Sequence, residues 1–154
     1  MHFLLLTIGK WKKAPEQALY EDYARRLRGA LELREVVGFP ALSAEERRRK
    51  ETELLFASAK EWGADRIIIL DETGVHLTSP ALAECLSQWQ DSGYRRIAIL
   101  IGGDVGLEKS ALAHAQLILS FGTMTWPHLL VRALCAEQLY RAQCIQSGHP
   151  YHRI

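Results

Sequence analysis

The chain has 154 residues, 48% of them hydrophobic and 24% charged, enough for one globular domain that buries roughly 70% of its unfolded surface. That composition excludes a disordered chain, a collagen-like repeat and a disulfide scaffold. With 19 Lys and Arg against 18 Asp and Glu the formal net charge is +1, so the chain is no polycation and any nucleic-acid contact must come from a local patch.

A short apolar run, Phe3 to Ile8, ends at Gly9 and predicts a buried strand, being too short for a helix. Lys10, Lys12 and Lys13 follow it, where a signal peptide would carry its positive charge first, so no leader is expected. Pro15 then opens a helix with an apolar stripe at Leu19, Tyr20, Tyr23 and Leu27, leaving Arg25, Arg26 and Arg28 for the other side. Leu31 to Phe39 predicts a strand with alternating Leu33, Glu35 and Val37. Ser43-Ala44-Glu45-Glu46 is a capping-box pattern that starts a helix through Arg47, Arg48, Arg49 and Lys50 to Trp62, stopping at Gly63.

Arg66 to Asp71 holds a β-branched run, Ile67 to Ile69, of the kind found in parallel strands covered on both faces. A helix from Ser79-Pro80 to near Gly93 precedes another apolar strand, Ile97 to Ile101, which leads straight into Gly102-Gly103-Asp104-Val105-Gly106. A short helix around Leu107 to Ala115, a strand at Leu117 to Leu119, a loop over Gly122 to Trp126 and a long helix from Pro127 to about Ser147 complete the chain. Strand and helix alternate throughout, which predicts a single α/β domain over residues 1–154, a mostly parallel sheet with helices on both faces. In such sheets ligands settle beyond the carboxyl ends of strands. The loops after Leu70, Ile101 and Leu119 qualify by position.

Charge is uneven along this plan. Residues 1–50 carry 11 basic and 7 acidic side chains, residues 51–125 carry 5 and 10, and residues 126–154 carry 3 and 1. The basic ends could face an anion together, and a solvated helix face explains such runs equally. Cys85, Cys135 and Cys144 are odd in number and show no C-x-x-C spacing, which suits reduced thiols and a cytoplasmic protein. No segment reaches the roughly 20 apolar residues of a membrane span.

The glycine run 102–106 lets backbone approach a ligand closely, yet it matches neither dinucleotide-binding nor P-loop glycine patterns and has no phosphate-binding lysine. Alone it reads first as an ordinary tight turn. Gly122-Thr123-Met124-Thr125-Trp126 is equally ambiguous between a helix start and an adenine enclosure. Nucleophile-elbow and Cys-His hydrolase patterns are absent. His149 and His152 flank the helix-breaking Pro150 with no acidic neighbour, so no metal is expected. The last long helix is apolar over more than one stripe, from Leu129 to Ile145; a second subunit or burial inside its own domain would each account for that. The closing His149-Pro150-Tyr151-His152-Arg153-Ile154 offers a stacking ring, two imidazoles and a guanidinium, the side chains an RNA-modifying site would use, although chain ends are commonly disordered.

Gly102-Gly103 with Gly106, Met124-Thr125, Pro127-His128, Leu130-Val131-Arg132, Glu137 to Ala142, Ile145 and the ending Pro150-Tyr151-His152-Arg153 closely resemble the family of ribosomal RNA large-subunit methyltransferase H. The resemblance spans the chain, and its C-terminal third is its specific part. It implies a SPOUT-type fold with a C-terminal trefoil knot, a homodimer, and methyl transfer from S-adenosylmethionine to N3 of a pseudouridine in helix 69 of 23S rRNA. By the same resemblance Leu70, Gly103, Phe121, Gly122, Thr123, Met124, Thr125 and Trp126 hold the cofactor, and the C-terminal tail reaches the active site, often against the partner subunit. His152 is then the expected base or proton relay, Tyr151 the stacking or orienting group, and Arg153 and Arg132 the partners of RNA phosphate or cofactor carboxylate. Lys10, Lys12, Lys13 and Arg25, with Arg26, Arg28 and the run Arg47 to Lys50, are expected RNA contacts. Asp104 departs from the family's usual Pro or Ala, Phe121-Gly122 from Leu-Ser, and Trp126 from Leu or Phe. A non-catalytic RNA- or ribosome-binding protein of the same fold is the competing reading, followed by a flavodoxin-like nucleotide binder.

Overall fold

A computed structural model describes residues 1–28 and 30–153. Its elements run β1 (His2–Ile8), α1 (Pro15–Arg26), β2 (Leu31–Val36), α2 (Ala44–Trp62), β3 (Arg66–His76), α3 (Ser79–Asp91), β4 (Arg96–Ile101), α4 (Lys109–Leu112), β5 (Leu117–Ser120) and α5 (His128–Gln146). The five strands form one sheet in the order β2-β1-β4-β3-β5, and every pairing is parallel.

The continuous apolar strands follow from coverage on both faces. Successive side chains of a strand point to opposite sides, so Phe3, Leu5, Ile97, Ile99 and Ile101 pack with residues of α1, α3 and α5, while Leu4, Leu6, Ile8, Ala98 and Leu100 pack with Leu55 and Ala59 of α2. Helix α5 lies against both α1 and α3 and buries Ala133, Cys135, Ala136, Leu139, Ala142 and Cys144. Two flanking helices of its own chain thus cover much of its apolar circumference.

Local signals set the boundaries. The Ser43 hydroxyl accepts from the Glu46 amide and the Glu46 carboxyl accepts from the Ser43 amide, satisfying two otherwise orphaned donors at the start of α2. Gly63, at φ 77°, closes that helix in the left-handed conformation. Strand β2 stops at Val36, short of Phe39, because its neighbour β1 ends at the Ile8 to Val36 pair and the Phe39 amide turns away to donate to Glu51 Oε1 at 3.3 Å. Strand β3 runs beyond Asp71 to His76, with a register break between Leu70 and Val75 where it pairs with β5. Asp71 Oδ1 accepts from the Thr73 amide at 2.9 Å, a local turn that draws 71–74 out of the ladder. Gly74 is required there: a Cβ would fall 2.6 Å from the Leu119 carbonyl carbon.

Candidate functional site

In a parallel sheet all carboxyl strand ends lie on one edge, and three of them enclose a cavity of about 380 Å³. Leu70 to Glu72 form one wall, and Ile101 with the loop Gly102 to Leu107 forms the second. Leu119 to Gly122, Met124 to Trp126 and the first turn of α5, through His128 and Val131, form the third. The 121–126 loop is set by Ser120, whose hydroxyl donates to the Gly122 carbonyl at 2.9 Å and accepts from the Gly122 amide at 3.2 Å. Gly122 has φ 120°, a conformation open to glycine and strained for other residues.

Seven of the eight residues that the resemblance assigns to the cofactor, namely Leu70, Gly103, Phe121, Gly122, Met124, Thr125 and Trp126, line this cavity. Thr123 does not line it and is exposed. Met124 is 73% exposed and Trp126 40%, so the outer lip is apolar and open. His128, a lining residue the sequence reading left without a role, has its pKa lowered by partial burial and by the Arg132 charge; its position opening α5 was the available signal. Asp104 lies on the loop with its carboxyl held below the ordinary range by the Arg47 hydrogen bond.

The tail lies elsewhere in the same chain. The Tyr151 hydroxyl donates to Glu137 Oε1 at 3.0 Å and stands 3.1 Å from the Tyr23 hydroxyl, its ring edge-on to Tyr140 at 4.8 Å. Burial, then the Tyr23 and Glu137 bonds, push its pKa up. Arg141, which also binds Glu137, donates from Nη1 to His152 Nδ1 at 3.3 Å. Arg153 is exposed. These contacts hold the tail beside the middle of α5, whereas the cavity meets the first turn of that helix. One chain therefore does not bring Tyr151, His152 and Arg153 to the cavity.

Lys10, Lys12 and Lys13 are exposed on the loop leaving β1, at the same sheet edge as the cavity. Arg25 is exposed too but sits in the last turn of α1, roughly 15 Å of helix away. Arg132 corrects the sequence reading. Expected at an RNA or cofactor surface, it is 0% exposed. Its guanidinium donates to Glu35 Oε1 at 2.9 Å, to the Ile8 carbonyl at 3.1 Å and to the Gly9 carbonyl at 2.9 Å, and it covers the Trp11 ring, so it faces the protein interior and not a phosphate in solvent. Arg47 and Arg48 likewise point at the glycine loop, the latter donating from Nε to the Val105 carbonyl at 2.9 Å. The i,i+4 spacing of Arg47 and Glu51 does not mark Arg47 out in the sequence, since Arg49 and Glu53 share that spacing as an exposed pair.

Among the described residues no three His, Cys, Asp or Glu side chains gather as a metal site, and no helix is long and apolar enough to cross a membrane. Residues 1–152 match the family described as predicted SPOUT methyltransferase. A Paramagnetospirillum magneticum protein named ribosomal RNA large subunit methyltransferase H is 46% identical over 153 residues, 99% of each chain. A Cereibacter sphaeroides protein of the same name is 44% identical over 161 residues, with both chains fully covered. Among solved structures, a probable methylase family protein from Haemophilus influenzae shares the fold with a TM-score of 0.55 at 13% identity, over 99% of this chain and 70% of that one. The full-length agreement in sequence, together with a parallel sheet whose strand ends enclose a glycine-lined cavity, places the chain in the SPOUT methyltransferase family, among the proteins named ribosomal RNA large subunit methyltransferase H.

Proposed function

We propose that the chain transfers a methyl group from S-adenosylmethionine to large-subunit ribosomal RNA, at N3 of a pseudouridine in helix 69 of 23S rRNA, acting as a cytoplasmic homodimer. The observation that carries this reading is the cavity at the carboxyl ends of β3, β4 and β5, about 380 Å³ and so within the range of small-molecule sites. Apolar Leu70, Ile101 and Leu119 line it beside glycine-rich loop backbone, with no lysine or arginine side chain in its wall. That lining suits a donor without phosphate groups. Leu70, Gly103, Phe121, Gly122, Met124, Thr125 and Trp126 would hold it there, with Thr123 alongside.

Bound in this cavity, S-adenosylmethionine supplies a methyl group already activated by its sulfonium. The chain's part is alignment and proton removal. Backbone of 102–106 and 121–126 shapes the cavity, and Met124 and Trp126 form its apolar lip. His152 takes the proton from N3 of the base, Tyr151 orients the base, and Arg153 with Lys10, Lys12, Lys13 and Arg25 contacts RNA phosphate. Since Nδ1 of His152 accepts from Arg141, base catalysis through that nitrogen requires the Arg141 contact to open.

A C-terminal trefoil knot belongs to the same proposal. Calorimetry with S-adenosylmethionine tests the cofactor, and absence of binding at millimolar concentration would leave the non-catalytic RNA-binding alternative. Mass spectrometry of 23S rRNA from cells with and without the chain tests the product: one methyl group is lost from helix 69 when the chain is removed, and an unchanged modification pattern refutes the assignment.

A further inference from the structure

The glycine loop of the cavity is held from behind by one face of α2. Arg47 Nη2 stands 2.5 Å from Asp104 Oδ1, and Arg47 Nε 3.5 Å from Glu51 Oε1. The next residue, Arg48, donates from Nε to the Val105 carbonyl at 2.9 Å, and one turn further along Thr52 Oγ1 accepts from the Glu108 amide at 3.0 Å. Glu51 is 0% exposed. Its Oε1 accepts from the Phe39 amide, and its Oε2 faces Gly103, where a Cβ would approach to 3.1 Å. The helix thus reaches Gly103, Asp104, Val105 and Glu108 at once, through side chains that the cavity itself does not contain.

This arrangement has a physical consequence for any ligand of the loop. Glycine-rich backbone is permissive, and ordering it on binding costs conformational entropy. A loop already fixed in the free protein binds with less of that cost. Asp104 is the element of the clasp that departs from the residue usual in the resembling family; its side chain is 68% exposed and that of its partner Arg47 20%, so the pair is shielded from solvent on the arginine side only.

We propose that Arg47, seated between Glu51 and Asp104, is a positioning residue that fixes the 102–106 loop for S-adenosylmethionine and thereby sets cofactor affinity. This rests on the reading of the cavity as the cofactor site. Arg47 touches neither donor nor RNA and acts through the loop.

The test uses the full-length protein with Arg47→Met, Asp104→Asn and the double substitution, measured by calorimetry with S-adenosylmethionine and by amide hydrogen exchange without ligand. Each single change weakens cofactor binding about two- to fivefold, the range of a partly shielded ion pair. The double change is no worse than the weaker single, since the two residues act as one unit. Exchange at residues 103–107 accelerates in every variant, and Asp104→Glu restores slow exchange and affinity. Wild-type affinity in Asp104→Asn, or losses that simply add in the double variant, overturns the proposal. Asp104 is on an exposed loop, so that variant remains decisive even if Arg47→Met fails to fold. Should the wild-type protein itself not bind S-adenosylmethionine, the reading of the cavity falls; the exchange measurement then decides the clasp by itself, unaccelerated exchange overturning it and accelerated exchange supporting it.

Discussion

Arg132 of α5 and Glu35 of β2 meet at 2.9 Å beneath the end of β1, the arginine wholly buried and the glutamate side chain 22% exposed. The same guanidinium holds the Ile8 and Gly9 carbonyls, and Glu35 Oε1 also accepts from the Trp11 amide at 2.8 Å. The pair therefore ties the helix entering from the cavity to the strand end that carries Lys10 to Lys13. Removing one partner isolates a buried charge, which costs about 3–5 kcal/mol. Glu35→Leu is expected to lose about 3 kcal/mol in urea unfolding, and Arg132→Met/Glu35→Leu to lose clearly less than the two single changes summed. Simple additivity would show that the two side chains are not energetically linked.

Gly74 supplies a second test of how the cavity wall is built. A methyl group added there meets the Leu119 carbonyl carbon at 2.6 Å and the Ile118 carbonyl at 2.7 Å, both backbone atoms of β5 that cannot rotate aside. Gly74→Ala must separate β3 from β5, with an expected loss of at least about 2 kcal/mol. Thermal melting reads the loss, and a wild-type midpoint would mean that the strand break between Leu70 and Val75 is looser than the geometry indicates.

Alkaline pH provides a third. Burial pushes the Cys135 thiol from its ordinary 9.0 up to about 12, and burial together with the Cys135 and Glu35 charges outweighs Arg132 to push the Tyr20 hydroxyl upward as well. Both groups keep their protons in the folded state where the unfolded chain would release them. Their contribution to stability is complete below about pH 9 and is lost as pH rises through the folded values, at up to about 1.4 kcal/mol per pH unit for each group. Unfolding free energy measured from pH 8 to 11 should therefore fall. Cys135→Ala should flatten the slope, and an unchanged slope in that variant would remove Cys135 as a cause.

Much of the architecture is legible without coordinates because its causes are local. Ile67 to Ile69 and Ile97 to Ile101 are apolar on consecutive positions, which only a sheet covered on both faces accommodates. Ser43, Glu46 and Gly63 mark the ends of α2 by hydrogen bonds and backbone conformation available in the segment itself. Parallel strands then bring the loops after Leu70, Ile101 and Leu119 to one edge. What the sequence does not display is pairing across long separations. Arg132 and Arg47 look like surface cations until Glu35 and Asp104, 97 and 57 residues away, are placed beside them. Gly74 looks ordinary until β5 packs against it. The resting place of the tail depends on Tyr23 and Glu137, neither of which announces a partner in sequence.

That resting place leads to the last prediction. Glu137, which holds Tyr151, lies nine residues after His128, roughly 13 Å along α5 from the turn that lines the cavity. A tail held there serves a cavity only across a subunit boundary, if His152 acts as proposed. Two inactive variants then complement each other. His152→Ala removes the proton acceptor and leaves the loops intact. Gly103→Val places a side chain against Glu51 Oε2 and Ile8 and disables the loop while leaving the tail intact. Each alone should be inactive, and a mixture refolded or co-expressed together should recover a measurable fraction of wild-type methylation. Light scattering should give a mass of about twice 17.4 kDa for the wild type and both variants. A mixture that forms mixed dimers yet stays inactive would place His152 and the cofactor loop in the same subunit, and would require the tail to swing from Arg141 to the cavity of its own chain.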